Sequence, residues 1–499
     1  MLPSASLRCL LLGGLLLPAA YSQTASITGR VTDVSGAVIP GVEVRVRNVA
    51  TAVERSTQTN QIGRYTVPLL SPGSYQLSVT QDGFRPVTRS GIKLEVDQKA
   101  EIDFALEVGS VTEQIEVTAD AVQLNTVDAS QGQVIENRRI VDMPLNGRDY
   151  VQLALLSAGT VQPIGGRYGG FSTAGQKTTQ NNYVLDGIDN NGIELAGAQR
   201  RGEMIKPSVD AVQEFKIQTN AYAAEFGRAM GGVVNVSTKS GTNDFHGTLF
   251  WFLRNEKLDA KNFFDPPDRD KPPFKRNQFG FSAGGPIIKN KTFLFGDYEG
   301  TRIRESATLT STIPTMAMRQ GDFSQLPDAI KDPATNAPFP GNRIPASRFD
   351  RLGQTLINLY PEPQNASLNQ NYVIQAPDKQ DQDRWDIRAD HNFSASDSVF
   401  GRVSWNDQVF PAALALPAPA FGGGFDGTVT GWNTGLNWNH LFTPPLLMNV
   451  RGGWNYAQFT RVNPAAAGTE NLNERFNVPG VDRSQPGGFS SFALSGYRN

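Results

Sequence analysis

Apolar and polar residues alternate one for one along much of this chain, and the alternation changes character twice. Across residues 25–108, short β-branched runs such as Ile27-x-Gly29-x-Val31 and Val42-x-Val44-x-Val46 lie between the turn strings "VSGAVIPG", "NQIG" and "SPGS". Period two, with Gly and Pro turn chemistry about every 10 residues, predicts the half-buried strands of a β-sandwich. Residues 115–240 are mixed. They hold the β stretch "IEVTA", a helical stretch with Leu153 and Leu156 entered through "MPLNGRD", the strand and turn "NNYVLDGIDNNG", and a strand Val233–Thr238 closed by a Ser-Gly-Thr-Asn turn.

From residue 241 onward the strands lengthen. "RWDIRADHNF" sets Trp385, Ile387, Ala389 and Phe393 against Asp386, Arg388, Asp390 and Asn392. "VFGRVSWN" sets Val399, Val403 and Trp405 against Arg402, Ser404 and Asn406, and "WNTGLNWNHLF" sets Trp432, Leu436, Trp438 and Phe442 against Asn433, Asn437 and Asn439. "LMNVRGGWNYAQF" repeats the pattern with Met448, Val450, Trp454 and Tyr456 opposite Asn449, Arg451 and Asn455. Alternation over about 10 residues with Trp and Tyr near strand ends predicts a transmembrane β-barrel wall. Short turns ("SASDS", "FTPP") alternate with long polar loops, notably residues 306–382, as periplasmic turns and extracellular loops do. Soluble sandwiches share the same period, so the loop asymmetry and the export signal decide between them.

That signal is the first 22 residues, in which Arg8 precedes an apolar run from Cys9 to Leu17 and Ala20 and Ser22 stand at small-x-small positions. The one cysteine of the sequence leaves with it, so the mature chain is no disulfide scaffold. Later stretches fall short of the about 18 apolar residues of a spanning helix, which leaves a barrel as the route into a membrane. The net charge of -2 offers no basic footprint for nucleic acid.

Several strings imitate ligand sites. "GFSTAGQKT" (170–178) approaches a phosphate loop, but Gln176 separates Gly175 from Lys177 and no helix pattern follows. "DGIDNNGIE", aligned on Gly192 as a calcium loop, puts Gly187 and Ala198 where the first and last carboxylates belong, leaving a polar turn. His246, His391 and His440 begin no H-x-x-E or H-E-x-x-H motif, so no zinc peptidase site, cofactor or metal is expected. No nucleophile-base pair is recognised either, and the chain is read as a non-enzyme. The stretch "AEFGRAMGGVVNVSTKSGTNDFHG" crowds five glycines beside Arg228 and Lys239. Gly227, Gly231 and Gly232 lack G-x-G-x-x-G spacing, and a strand follows them where a phosphate site needs a helix N-terminus. It reads as a bend leading into a strand.

Two resemblances sharpen this. "GRVTD", "SGAVIPGVEV", "GRYTVPLLSPGSYQLSV" and "DGF" resemble the carboxypeptidase regulatory-like domain, a transthyretin-like sandwich with a carbohydrate-binding-like fold. That likeness implies a fold and shows no sugar site; a structural spacer is the plainer role. The ordered set "MPLNGRD", "YVLDGID" and "AVQEFKIQTNAYAAEFGRAMGGVVNVSTKSGTNDFHGTLFWFLRN" resembles the plug domain of TonB-dependent outer-membrane receptors of the Oar-like group, and "NQFGFSAGGPIIKNKTFLFGDYEGTR" resembles early barrel strands of that group.

The resemblance implies a mainly β chain in four parts: signal peptide 1–22, regulatory-like sandwich 25–108, α+β plug 115–240, and barrel strands in 241–499. About seven strands are recognised where such transporters close with about 22, and the chain is expected to be an N-terminal fragment or truncated product. The resemblance places Glu225, Arg228 and Lys239, with Gly227, Gly231 and Gly232, in a plug-to-barrel structural hinge inside the wall. Glu113, Gln114, Ile115, Glu116, Val117 and Thr118 stand where a TonB box would add as a strand to a sheet edge of TonB, or else form an ordinary linker strand. Expected partners are TonB, outer-membrane lipid and a bulky nutrient, an oligosaccharide, glycan fragment or metal chelate; no substrate residue is assigned. The rival reading is an outer-surface binding or adhesion protein that does not transport.

Overall fold

The computed structural model describes residues 24–109, 115–118, 130–162, 170–192, 202–222, 226–227, 229–261, 271–420, 424–443, 446–464, 470–481 and 489. The first unit contains β1 (Ala25–Asp33), β2 (Glu43–Asn48), β3 (Glu54–Gln58), β4 (Arg64–Leu70), β5 (Gly73–Thr80), β6 (Val87–Leu94), β7 (Lys99–Glu101) and β8 (Phe104–Leu106). One sheet runs β4-β1-β7 with β8 also on β1; the other runs β3-β2-β5-β6. The alternation predicted from sequence is the burial pattern found. Ile27 and Val31 of β1, Val44 and Val46 of β2, and Leu77 and Val79 of β5 turn into a core between the two sheets.

One strand departs from the expected partition. β9 (Ile115–Thr118) joins the sandwich, pairing parallel to β6 and ending its sheet. The β stretch itself was legible, but a four-residue strand carries no local sign of which sheet will take it.

The central unit holds β10 (Gln131–Glu136), β11 (Thr160–Val161), β12 (Ser172–Thr173), β13 (Asn182–Leu185), β14 (Ile188–Asp189), β15 (Val212–Asn220) and β16 (Val233–Thr238). Its main sheet is ordered β10-β15-β16-β13-β14, with β13 and β16 parallel. A helix Asn137–Asp142 and a 3-10 turn Tyr150–Leu156 cover it, the latter started by the Asp149 carboxylate accepting the Val151 N–H at 3.1 Å. Their apolar sides meet Phe215, Ile217, Val234 and Val236 in a second core, where Tyr150 packs edge-on against Phe215.

The remaining strands form one antiparallel meander: β17 (His246–Asn255), β18 (Phe274–Ile288), β19 (Thr292–Ser311), β20 (Tyr372–Asn392), β21 (Asp397–Phe410), β22 (Asp426–Thr443) and β23 (Leu446–Val462). Register lines up Tyr298, Trp385, Trp405, Trp432 and Tyr456 across five neighbouring strands on the outward face. Adjacent rings of that row stand 6.2 Å apart at Trp385–Trp405 and at Trp405–Trp432. Toward the short turns lies a second aromatic group, Trp438, His440 and Phe442 on β22 and His391 with Phe393 at the end of β20. Between the two groups the outward positions include the exposed Ile387 and Leu436, so the sheet presents an apolar band flanked by aromatic girdles.

The hairpin of β19 and β20 is longer than the sequence indicated. A loop was expected over 306–382, but the ladder runs on to the pair Ser311 and Tyr372. Beyond the Trp row the extension is tied by cross-strand ion pairs, Arg302 to Asp383 at 2.8 Å and Arg304 to Asp381 at 2.6 Å. Charged pairs of this kind do not produce the apolar alternation by which strands are recognised.

Candidate functional site

The inward face of the wall is polar and lies against the central unit. Arg384, Asp386 and Arg388 of β20, Arg402, Ser404 and Asn406 of β21, and Asn433 and Asn437 of β22 are all buried there. These are the polar positions of the alternation read above. Their burial obliges each to find a partner, and the central unit supplies many of them.

The tip of the β13–β14 hairpin is the first contact. Register pairs Leu185 with Ile188, leaving Asp186 and Gly187 as a two-residue turn with φ of 47° and 79°. Positive φ at both positions is the type I′ geometry favoured by Asp-Gly. It aims the Asp186 carboxylate at the wall, while Thr238, at the end of β16 in the same central unit, steadies it by donating its N–H at 3.0 Å and its hydroxyl at 2.6 Å. Two guanidiniums converge on the same carboxylate, Arg388 at 3.1 Å and Arg402 at 2.9 Å. Arg388 is shared with Asp390 at 2.9 Å, while Arg402 also donates to Ser404 and Asn433. Next in sequence, Ile188 fits a notch lined by wall glycines. A Cβ at Gly435 would stand 2.8 Å from Ile188, and one at Gly453 2.4 Å. Asn433 and Asn455 close the notch by donating to the Asp189 carbonyl at 3.2 and 2.6 Å.

The "LNGRD" turn makes the second contact. Arg148, at φ 52°, pairs with Asp210 and lies 3.6 Å from Glu299 of β19. Its guanidinium covers the inward rings of Phe250 and Phe252 on β17, 4.3 and 4.8 Å from their centroids. Asn146 accepts from Arg276 at 2.9 Å, and the Gly147 carbonyl accepts from Gln278 at 3.2 Å. Arg384 pairs with Glu299, and the Ser208 hydroxyl donates to Asp297. The third string meets the wall where the Thr238 carbonyl accepts from Arg388 at 3.2 Å, so each of the three strings singled out in the sequence does so through charged or hydrogen-bonding groups.

A cavity of about 390 Å³ opens on the long-loop side of these contacts. Asp149, Glu203 and Lys206 from the central unit face Gln278, Gln382 and Asn406 of the wall across it. Burial and the Asp149 charge push the Glu203 carboxyl above its ordinary range; it accepts the Tyr150 hydroxyl at 2.7 Å. Burial pushes Asp149 up as well, but Lys206 at 2.7 Å outweighs it and holds that carboxyl below its ordinary range.

On the short-turn side the sandwich meets the outer residues of β15. Glu214 accepts the Val96 N–H, while Lys216 and Gln218 each approach the Asp97 carboxylate at 3.3 Å. Lys93 pairs with Glu136 at 2.5 Å. Burial raises the Glu214 carboxyl to about 8, against the stabilising Val96 N–H.

The glycine-rich stretch serves close backbone approach. A Cβ at Gly231 would lie 2.5 Å from Asn181 Oδ1, and one at Gly232 3.0 Å from Thr173 Oγ1. Gly227 offers its carbonyl to Asn182 at 2.8 Å. Lys239 donates its backbone N–H to Ala211 at 2.8 Å and is half-buried. Burial lowers the pKa of its ammonium, opposed by Asp210 and Asp297. Glu225 and Arg228 lie outside the described residues, as do Glu113 and Gln114. Ile115, Glu116, Val117 and Thr118 form β9 on the sandwich, paired with β6.

Sequence reasoning missed Asp186, Arg148, Ser208 and Asp210 as contact residues. The Asp-Gly pair between apolar runs was the available sign for a hairpin tip at 186–187, whereas the wall partners lie far along the chain and leave no local trace.

Residues 237–499 match the outer membrane β-barrel domain family, and residues 26–107 match the carboxypeptidase regulatory-like domain. The chain is similar to the TonB-dependent transporter Oar of Myxococcus xanthus, 28% identical over 311 residues, covering 59% of this chain and 28% of that transporter. It is also similar to a probable TonB-dependent siderophore receptor, PirA, of Acinetobacter baumannii, 29% identical over 124 residues, or 24% of this chain and 15% of that receptor. Among solved structures, a ferric enterobactin receptor of Pseudomonas aeruginosa aligns over 68% of this chain and 42% of its own, at 13% identity and a TM-score of 0.40. The chain therefore spans under a third of the length of the curated relatives it matches.

Proposed function

This chain belongs to the outer membrane β-barrel family, as an Oar-like TonB-dependent receptor of the outer membrane, and from that premise we propose that it imports a bulky nutrient using force relayed by TonB. In this reading the central unit is the plug, and Glu113–Thr118 is the segment that TonB takes hold of. The observation that carries it is the chemistry of the contact between plug and wall. The two belong to separate sheets, joined by Asp186, Arg148, Ser208 and their wall partners. Charged and hydrogen-bonding groups can exchange these partners for water when the plug moves, whereas an apolar seam would resist hydration.

The cargo in this reading is an oligosaccharide, glycan fragment or metal chelate. The amide and charged lining of the outer cavity suits a ligand rich in oxygen acceptors and hydroxyls. The siderophore receptor among the relatives adds weight to the chelate. Adhesion without transport is the second reading, favoured by the β19–β20 hairpin standing out beyond the Trp row.

The test is uptake by cells given labelled oligosaccharide and ferric-chelate pools, with and without a deletion of Glu113–Thr118. Transport requires that the deletion abolish uptake and leave surface binding intact. Binding with no uptake in either strain would favour adhesion and overturn import.

A further inference from the structure

We infer that the N-terminal sandwich is part of the TonB-docking surface: it presents residues 115–118 as a preformed edge strand to which a strand of TonB adds. The inference rests on the reading of Glu113–Thr118 given above and concerns how that segment is offered. β6 is paired on one side by β5, from Gly73–Leu94 to Val79–Val87. On its other side it holds β9 in parallel register, Val87 with Ile115, Thr88 with Glu116, Arg89 with Val117 and Ser90 with Thr118. β9 closes the strand order of that sheet, so among the described strands its outer edge pairs with none. An unpaired edge is a template for another chain, and strand addition gains affinity from main-chain hydrogen bonds to an extended segment. A segment already extended on β6 has lost that conformational freedom before TonB arrives.

The sandwich is itself anchored. β6 leads directly into Val96 and Asp97, which contact Glu214, Lys216 and Gln218 of β15. A strand added to β9 would therefore continue a sheet that already touches the central unit.

The test compares capture of a periplasmic TonB fragment by the full chain carrying Ser90→Cys and Thr118→Cys, oxidised and reduced, and by a synthetic peptide of residues 110–122. The sequence has one native cysteine, Cys9, so mass spectrometry identifies the new link. The inference expects the link to form, the oxidised chain to capture TonB within about twofold of the reduced chain, and the peptide to bind at least about tenfold more weakly. It is overturned if no link forms, if oxidation lowers capture about tenfold so that the segment must leave β6, or if the peptide matches the chain. Capture by neither chain nor peptide would instead remove the docking role of Glu113–Thr118, and the inference with it.

Discussion

Arg402 Nε stands 2.9 Å from the Asp186 carboxylate, a wall strand meeting the hairpin tip of the central unit, and both residues are buried. Asp186 also faces Arg388, which keeps Asp390 as a second carboxylate at 2.9 Å. Asp186→Ala removes the carboxylate that pairs with the buried Arg402 and is expected to cost about 3–5 kcal/mol. The expected outcome is a plug that loosens at lower urea in the detergent-purified protein and cells more sensitive to vancomycin, a probe too large for an intact outer membrane. Unchanged urea and vancomycin profiles would contradict the role given to this pair.

Gly187→Ala tests the turn that aims the carboxylate. At φ 79° a Cβ is strained, and it would meet Arg451 Nη1 at 2.1 Å. A loss above about 1 kcal/mol is expected, in the same direction as Asp186→Ala and less than additive with it, because both act on one contact. A double-mutant cycle on urea midpoints checks this.

Arg148→Lys keeps the charge and gives up the planar group over Phe250 and Phe252. The expected cost is about 1–2 kcal/mol, with a larger effect for Arg148→Ala because Asp210 is then left without its cation. Equal stability of wild type and the Lys variant would show that the ring contacts contribute nothing.

Docking of the sandwich on β15 is expected to weaken as pH rises. Glu214 has an ordinary value of 4.5 when separated and about 8 when docked. Between those values the docked state holds the extra proton, so its advantage is full below about 4.5 and is lost as pH climbs through about 8. The groups facing this carboxyl are Glu95, Lys93 and Glu136, with Asp97 and Lys216 alongside. Energy transfer between dyes on the sandwich and on the wall should fall across that window, and Glu214→Gln should flatten the profile.

The wall was legible because each strand has one apolar and one polar side, and alternation at Trp385, Asp386, Ile387 and Arg388 records that directly. The Val233–Thr238 strand, buried on both faces, was legible for a different reason, as a β-branched run bounded by turn residues. Two things were not. The outer reach of β19 and β20 is held by Arg302, Arg304, Asp381 and Asp383, whose pairing depends on register and not on local composition. The plug contacts depend on tertiary placement: Asp186 sits in a string that read as a polar turn, and nothing around it names Arg388 or Arg402 as partners. The β stretch at 115–118 is readable as a strand, while its place on the β6 edge is a property of the folded sandwich.

The most direct measurement is a reversible lock between plug and wall. Ser208→Cys with Asp297→Cys replaces the hydrogen bond between β19 and the turn before β15 by a disulfide, in protein inserted in the outer membrane. Import through a moving plug requires that the link form, that uptake from the labelled oligosaccharide or ferric-chelate pool stop when it is oxidised, and that reduction restore it. Cysteines that stay unlinked and open to maleimide, or a linked protein that imports at the undiminished rate, would contradict the account.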